Sequence, residues 1–543
     1  MFKDKVIYQI YPKSFADANH DGLGDLQGII QHLDYLQYLG IDYIWMTPFF
    51  VSPQNDNGYD VENYYEIDPI FGTMADLEKL IEEAKKRNIG LMFDMVFNHT
   101  STKHEWFKKA MAGEKKYKDY YFFKKPVNGQ MPTNWQSKFG GPVWEYVEKF
   151  DEYYLHLFDK TQADLNWENP EVRDELAQIL NFWIDKGIKG FRFDVINLIS
   201  KDAFENDYDG VGKRFYTDGS QVNKYLHELN QKTFGRFKDI VTVGEMSATT
   251  IENCCHYTNP RYQELNMAFN FHHLKVDYKN KEKWTIMPFD FQELKQLFND
   301  WQIGMQERNG WNALFWNCHD QPRSVSRFGN DQQYHDLSAK MLATSIHLQR
   351  GTPYIYQGEE IGMTNAYFTD ISQYRDVEST NYYHILKNQN ITEKDIIQIL
   401  QAKSRDNART PMQWNDHGGF SDVIPWIEMN PNYKTINVEK QINDPHSILQ
   451  YYRELIMLRK KYKVISEGTY LPYLEDHPTI YAFKRQYHQE ELIVINNFYE
   501  TGTIIEIDNI DQYEVIIHNY PSYHLNKKIN IRPYESIVLY KKQ

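Results

Sequence analysis

Short apolar runs alternate with longer amphipathic ones along most of this chain. Val6–Ile10, Tyr43–Met46, 90–96, 190–195, 240–246, 267–271, 313–318 and 353–357 are short and rich in Val, Ile, Tyr, Phe and Met. They predict buried strands. Between them, 26–39, 74–87, 171–186, 219–232, 291–308 and 334–348 repeat apolar positions every three or four residues, which predicts helices packed through one face. Gly40 stops the first of these helices. Eight strands joined through helices predict parallel β/α units closing into a (β/α)₈ barrel, a TIM barrel, with its chemistry at the C-terminal strand ends. An open doubly wound sheet would need a Gly-rich phosphate turn after the first strand, and none follows Ile10.

Two stretches depart from this rhythm. Residues 101–170 carry K-K-Y-K-D-Y-Y-F-F-K-K-P and two glycines at 140–141 with little helical period, which predicts a small insertion domain after the third strand. After a helix near 446–461, alternating runs such as T-I-Y-A-F-K-R and E-L-I-V-I-N-N predict a C-terminal β-sandwich. The expected division is a barrel over 1–100 and 171–465, an insertion over 101–170 and a sandwich over 466–543.

Composition narrows the partners. The 543 residues carry a formal net charge of −15, which argues against nucleic acid or an anionic membrane as the general partner. Tyr 41, Phe 31 and Trp 12 suit a large core and also a carbohydrate site, where ring faces stack on sugars. Cys254, Cys255 and Cys318 make no disulfide framework, no 18-residue apolar run occurs, and M-F-K-D-K-V-I-Y is not a signal sequence. The expectation is a soluble, cytoplasmic monomer.

The strand ends carry the candidate chemistry. G-F-R-F-D-V (190–195) delivers Arg192 and Asp194; other strands end at Asp94, Glu245 and Asp320, with His99 and His319 alongside. A buried carboxylate without a partner is costly, so one Arg–Asp pair reads equally well as a structural salt bridge. Four acids on four strands read as an active site. No His/Cys cluster has zinc spacing, and neither G-x-S-x-G nor a P-loop is present. Acids without a transition metal point to glycoside hydrolysis by paired carboxylates.

Two loops add charge. Asp17, Asn19 and Asp21 occupy positions 1, 3 and 5 of an EF-hand-like pattern with Gly22 at 6, but Gly28 stands at position 12 where Glu is expected. With Asp25, this reads as a shortened cation loop or as a solvated polar turn. H-H-L-K-V-D-Y-K-N-K-E-K-W (272–284) follows the sixth strand and K-R-F-Y (213–216) follows the fourth. A solvated face is the bland reading of such a run. Its place at the catalytic end favours recognition of a phosphorylated sugar through Lys275, Lys283 and Arg214 or its neighbour Lys213.

The segments D-M-V-F-N-H (94–99), G-F-R-F-D-V-I-N (190–197), G-E-M (244–246) and H-D-Q (319–321) resemble, in order, the four signature regions of the α-amylase family of retaining glycosidases. N-G-Y-D-V (57–61) and D-N-A-R-T-P-M-Q-W (406–414) are similar to its oligo-1,6-glucosidase-like branch. The resemblance implies Asp194 as nucleophile, Arg192 keeping it ionised, and Glu245 as acid/base with its pKa raised by enclosure and nearby anions. It implies Asp320, His99 and His319 on the sugar hydroxyls, Tyr59 stacking on the ring, and Asp60 with Arg409 closing the pocket. It also implies a structural Ca²⁺ in the first loop, held by Asp17, Asn19, Asp21, Asp25 and the Leu23 carbonyl, with no organic cofactor. The substrate implied is a phosphorylated glucose disaccharide, an uncharged isomaltose-type oligosaccharide being the alternative. One departure stands out: Cys318 precedes His319 where the family usually has Asn.

Overall fold

The structure, a computed structural model, describes residues 2–542. Eight parallel strands form its centre: β1 Ile7–Ile10, β2 Tyr43–Met46, β3 Gly90–Met95, β4 Gly190–Phe193, β5 Val241–Glu245, β6 Met267–Phe269, β7 Ala313–Leu314 and β8 Thr352–Tyr356. Their order is β6-β5-β4-β3-β2-β1-β8-β7, and a parallel bridge from Ala268 to Asn312 closes the ring. Each strand opens within one residue of its expected start. Period-two alternation places the chemistry: Phe191 and Phe193 are fully buried in the main core, while Arg192 between them reaches Asp94, its register partner on β3.

The helices follow the sequence pattern and its caps. Thr73 forms a capping box with Asp76 before Met74–Lys86, and Asn169 with Pro170 starts Pro170–Asp185. The first expected helix is two, Leu26–Gln31 and Leu33–Leu39. His32 turns its ring Nδ1 onto the Gly28 carbonyl at 2.8 Å and competes with the helical ladder there.

The segment after β3 folds over the barrel mouth. His99–Ser101 pairs antiparallel with Gln162–Asp164, and Phe123–Lys124, Glu152–Leu155 and Trp144–Val147 make a three-stranded sheet. Contrary to the weak helical period of this stretch, Glu105–Ala112 is helical. Trp135, Val143, Trp144 and Leu155 share a core with Val195, Leu198, Phe215 and Tyr216 from the region after β4. That shared core seats the insertion beside the strand end carrying Asp194. A second layer that the sequence pattern did not announce follows β8, with helices Val377–Asn388, Glu393–Lys403 and Asp406–Arg409.

The C-terminal region contains strands β9 Thr469–Tyr473, β10 Ile480–Tyr487, β11 Glu490–Asn497, β12 Thr503–Glu506, β13 Glu514–His518, β14 Lys528–Ile531 and β15 Ser536–Lys542. β9-β10-β11-β15-β13 form one antiparallel sheet, and β12 pairs with β14. Alternation divides the larger sheet between two cores. Ile480, Ile493, Ile495 and Ile537 pack with Ile505, Ile529 and Ile531 of the small ladder, whereas Tyr481, Phe483, Val494 and Val538 join the barrel core. Among the described residues no helix is long and apolar enough to cross a membrane.

Candidate active site

Arg192 is the hub of the barrel mouth. It is 2 % exposed, and one guanidinium meets three carboxylates. Nη1 donates to Asp94 Oδ1 and Asp194 Oδ1, each at 2.7 Å, and Nη2 donates to Glu245. Trp45 Nε1 and the Tyr59 hydroxyl complete Asp94, donating to Oδ2 at 3.1 and 2.9 Å. Burial and the neighbouring Asp194 push Asp94 up to about 7 against the pull of Arg192. The backbone turns sharply after Asp194: Val195 sits at φ +36°, a left-handed conformation rare for a β-branched residue. Such strain, of order 1–3 kcal/mol, persists where packing over-determines it, and here it directs the Asp194 strand end into the mouth. The Arg192 cation against Glu245 differs from the expected surround of anions.

A second cluster faces the first. Asp320 accepts from Arg405 Nη1 at 3.1 Å and Arg409 Nη2 at 3.0 Å, and His319 Nε2 lies 3.1 Å from its other oxygen. Burial would raise the Asp320 pKa, but His319, Arg405, Arg409 and Arg192 outweigh it and hold the carboxyl well below the usual range. Burial, helped by the three arginines, lowers His319 to about 3, so its ring is neutral near pH 7. Gln9 Nε2 donates to His319 Nδ1 at 2.8 Å, fixing Nε2–H toward Asp320. Gln9 thus orients the ring without help from Cys318, whose buried thiol is pushed up to about 12. Tyr59 stacks on His319 with ring centroids 5.1 Å apart.

Between these clusters lies a cavity of about 230 Å³. Tyr59, His99, Asp194, Glu245, Lys275, Lys283 and Asp320 line it, as the sequence reading requires of a single site. Phe139, Phe158, Val195 and Phe271 supply apolar wall. His99 is buried, which depresses its pKa, and its Nε2 lies 3.1 Å from the Tyr59 carbonyl.

Three assignments need correction. Asp60 does not reach the cavity: it accepts from Ser52 Oγ and from the amides of Asn55 and Asp56, and shapes its own loop. Asp56 lines the cavity instead, raised to about 7 by burial against the pull of Arg405 and Arg409. Arg409 stays behind Asp320, its Nε on the His319 carbonyl at 2.9 Å, and Arg405 is the arginine at the cavity wall. Arg405 also pairs with Asp376 at 2.5 Å and Asp56 at 3.2 Å. Arg214 points away, its Nε on Asp207 at 2.7 Å. The Arg405 of S-R-D-N-A-R was a recoverable signal, because it stands one helical turn before Arg409.

The lysines divide into two kinds. Lys283 is paired with Glu378 at 2.6 Å. Lys213 and Lys275 line an outer vestibule of about 1070 Å³, and among the described residues neither forms an ion pair. Lys138, from the insertion, joins them there, and sequence reasoning passed it over.

The first loop brings its polar residues together differently from a metal cluster. Asp17 accepts from His20 N at 2.7 Å, Gly22 N at 2.8 Å and Ser421 Oγ at 2.5 Å. Asp25 caps the next helix through Gly28 N at 2.6 Å, and Asp21 Oδ1 accepts from Leu23 N at 2.8 Å. Asn19 donates to Asp21 at 3.0 Å. Among the described residues no group of three or more His, Cys, Asp or Glu side chains is placed to hold a metal ion.

Arg405 offers a direct test of this electrostatics. Removing it leaves Asp56, Asp320 and Asp376 with fewer cations, so their carboxyls titrate at higher pH. Breaking a buried pair costs about 3–5 kcal/mol. Arg405→Met is therefore expected to lower kcat/KM at pH 7 by about 10²-fold or more and to move the acid limb of the pH profile upward. Steady-state kinetics between pH 4 and 8 measure both effects.

The chain matches the model of the α-amylase catalytic domain over residues 9–468 and that of the SusG α-amylase C-terminal domain over 480–538. It is 54% identical to the trehalose-6-phosphate hydrolase of Bacillus subtilis (strain 168), over 99% of this chain and 97% of that protein. It is 47% identical to an oligo-1,6-glucosidase of Bacillus cereus, over 99% and 98%. The crystal structure of Bacillus licheniformis trehalose-6-phosphate hydrolase superposes with a TM-score of 0.96 at 53% identity, covering 100% of both chains. By sequence and by structure, the chain belongs to the α-amylase family.

Proposed function

We propose that this protein hydrolyses α,α-trehalose 6-phosphate to D-glucose and D-glucose 6-phosphate with retention of configuration. One observation carries the choice of substrate. Lys213 and Lys275, free of carboxylate partners, stand in the vestibule that adjoins a glucose-sized acidic cavity. An uncharged oligosaccharide gives those cations nothing to neutralise, whereas a phosphate ester does.

The residues divide the reaction between them. The unphosphorylated glucose occupies the inner cavity, where Asp320 and Asp56 hold hydroxyls and Tyr59 covers the ring. Asp194 attacks C1 while Glu245 gives its proton to the glycosidic oxygen, and glucose 6-phosphate leaves from the vestibule. Glu245 then takes a proton from water, which attacks C1 and releases Asp194. The carboxylates favour the cationic character that develops at C1. Arg192 holds Asp194 in place through its 2.7 Å contact, and Glu245 must leave Arg192 to protonate the leaving oxygen.

Two charge-assisted contacts of about 1.5–3 kcal/mol each favour the phosphorylated substrate by roughly 10²–10⁴ in kcat/KM, the lower end applying where solvent screens them. The purified enzyme is expected to cleave trehalose 6-phosphate that much better than trehalose, and Lys275→Ala to erode the preference mainly through KM. Faster cleavage of isomaltose than of trehalose 6-phosphate would replace this reading with an oligo-1,6-glucosidase. The same proposal takes the enzyme as a monomer and places it in the cytoplasm, the latter supported by three buried, unpaired cysteines.

The 17–25 loop is proposed to bind one structural Ca²⁺. Its donors, Asp17, Asn19, Asp21, Asp25 and the Leu23 carbonyl, are all oxygen, the class a hard cation takes, and binding would draw the three carboxylates off the amides they now accept from. Calcium would brace the loop against Ser421 and the helix that Asp25 caps. Adding Ca²⁺ to EDTA-treated protein should raise Tm by several degrees with activity at low temperature largely unchanged, and Asp21→Ala should remove the increment. A Tm indifferent to Ca²⁺ would leave the carboxylate–amide bonds as the loop's sole support.

A further inference from the structure

The outer vestibule is walled by separate segments: the insertion around 136–142, the one-turn helix Lys213–Tyr216, Ser247 and Ala248 after β5, and the loop after β6. Lys138 enters from the insertion. Its amide donates to the Leu157 carbonyl at 2.9 Å, and its Nζ donates to Ser247 Oγ at 3.2 Å. Ser247 is itself held, donating from its amide to Asn197 Oδ1 at 2.8 Å and accepting Asn197 Nδ2 at its carbonyl at 2.9 Å. The Lys138 ammonium lies 5.6 Å from the Tyr216 ring centroid. The next residue, Phe139, lines the catalytic cavity, so Lys138 stands on the boundary between the two spaces.

Four lysines without ion pairs among the described residues therefore line one space, Lys138, Lys213 and Lys275 together with the exposed Lys281. The acids of that wall leave a cationic excess: Glu378 is taken by Lys283 at 2.6 Å and Arg405 at 3.5 Å, and Glu282 is the one remaining carboxylate of the lining. Like charges gathered in excess of counter-charge are unfavourable unless an anion joins them. We propose that Lys138 is a specificity-determining residue whose ammonium closes, with Lys213 and Lys275, a three-sided cradle for the phosphate of the leaving sugar. This rests on the phosphorylated-substrate reading and adds to it a contact from the insertion domain.

The cradle is proton-linked. Burial, then Lys213 and Lys275, push Lys138 down to about 7, with Asp164 acting in the opposite direction. Burial and Lys213 also lower Lys275. A bound phosphate dianion restores the Lys138 proton, so binding takes up a proton near pH 7.5. As pH rises from 7 to 9 the free Lys138 loses its charge, and affinity for a phosphate ester falls. An uncharged glucoside senses none of this.

The test compares wild type, Lys138→Met and Lys138→Arg by the ratio of kcat/KM for trehalose 6-phosphate over an uncharged aryl α-glucoside. The Met variant is expected to lower the ratio about 10- to 100-fold, mostly through KM, the effect of one charge-assisted contact. The Arg variant, always protonated, should keep the ratio within about threefold and flatten its decline between pH 7 and 9. A ratio for Lys138→Met within twofold of wild type overturns the cradle while leaving the substrate reading intact. A structural role alone would depress both substrates equally and leave the ratio unchanged, which also overturns it. If wild type itself shows no preference for trehalose 6-phosphate, the substrate reading fails, and calorimetry with inorganic phosphate decides separately. Binding to wild type that Lys138→Met loses sustains the cradle, and no binding overturns it.

Discussion

One buried cation makes this barrel mouth possible. Asp94, Asp194 and Glu245 end three adjacent strands and would repel one another in a site walled by aromatic rings. Arg192, on the middle strand, answers all three from one guanidinium. Its planar fork presents several donors in fixed directions, which a lysine could not do. Trp45 and Tyr59 lie over it with ring centroids 5.1 and 5.9 Å from its central carbon, which limits its movement. Losing such a cation would leave buried carboxylates uncompensated, a penalty of several kcal/mol. The register of β4 against β3, with Arg192 opposite Asp94, is therefore as much a catalytic feature as a structural one.

From that constraint follows a sorting of charge with depth. The inner mouth gathers Asp56, Asp94, Asp194, Glu245, Asp320 and Asp376 around Arg192, Arg405 and Arg409, leaving carboxylates in excess. The vestibule gathers Lys138, Lys213 and Lys275. A sugar carbon that becomes cationic suits the first space, and a phosphate suits the second. On the proposed reading, a substrate with one plain and one phosphorylated glucose would be oriented by this gradient. The 47% identity to an oligo-1,6-glucosidase extends over 99% of the chain, so the two share one architecture. Under the proposed function the inner machinery serves α-glucosides in general, and selection among them falls to the outer cations.

Much of this was legible in the chain because strands announce themselves. Buried runs ending in acids located β3, β4 and β5, and alternation along G-F-R-F-D put Arg192 and Asp194 on the inner side. What the pattern hid lies in loops, where no period constrains side-chain direction. In N-D-N-G-Y-D, Asn57 and Gly58 take φ of +50° and +101°, folding Asp60 back onto its own loop while Asp56 reaches Arg405. Lys213 and Arg214 are neighbours on one helical turn, so they point about 100° apart and only Lys213 faces the vestibule. Arg405, Asp376 and Glu378 come from the layer after β8, whose short helices carry no β/α signature. Lys138 precedes Gly140 and Gly141 in an aperiodic stretch and becomes visible only when the insertion folds over β4 and β5.

The central claim is that Asp194 and Glu245 act as a retaining pair organised by Arg192. Proton NMR of the glucose first released from trehalose 6-phosphate tests it most directly, because mutarotation is slow enough for the initial anomer to be recorded. The account predicts α-glucose at the outset, decaying later to the equilibrium mixture. β-Glucose appearing first would mean that water attacks C1 directly, and would contradict the role assigned to Asp194.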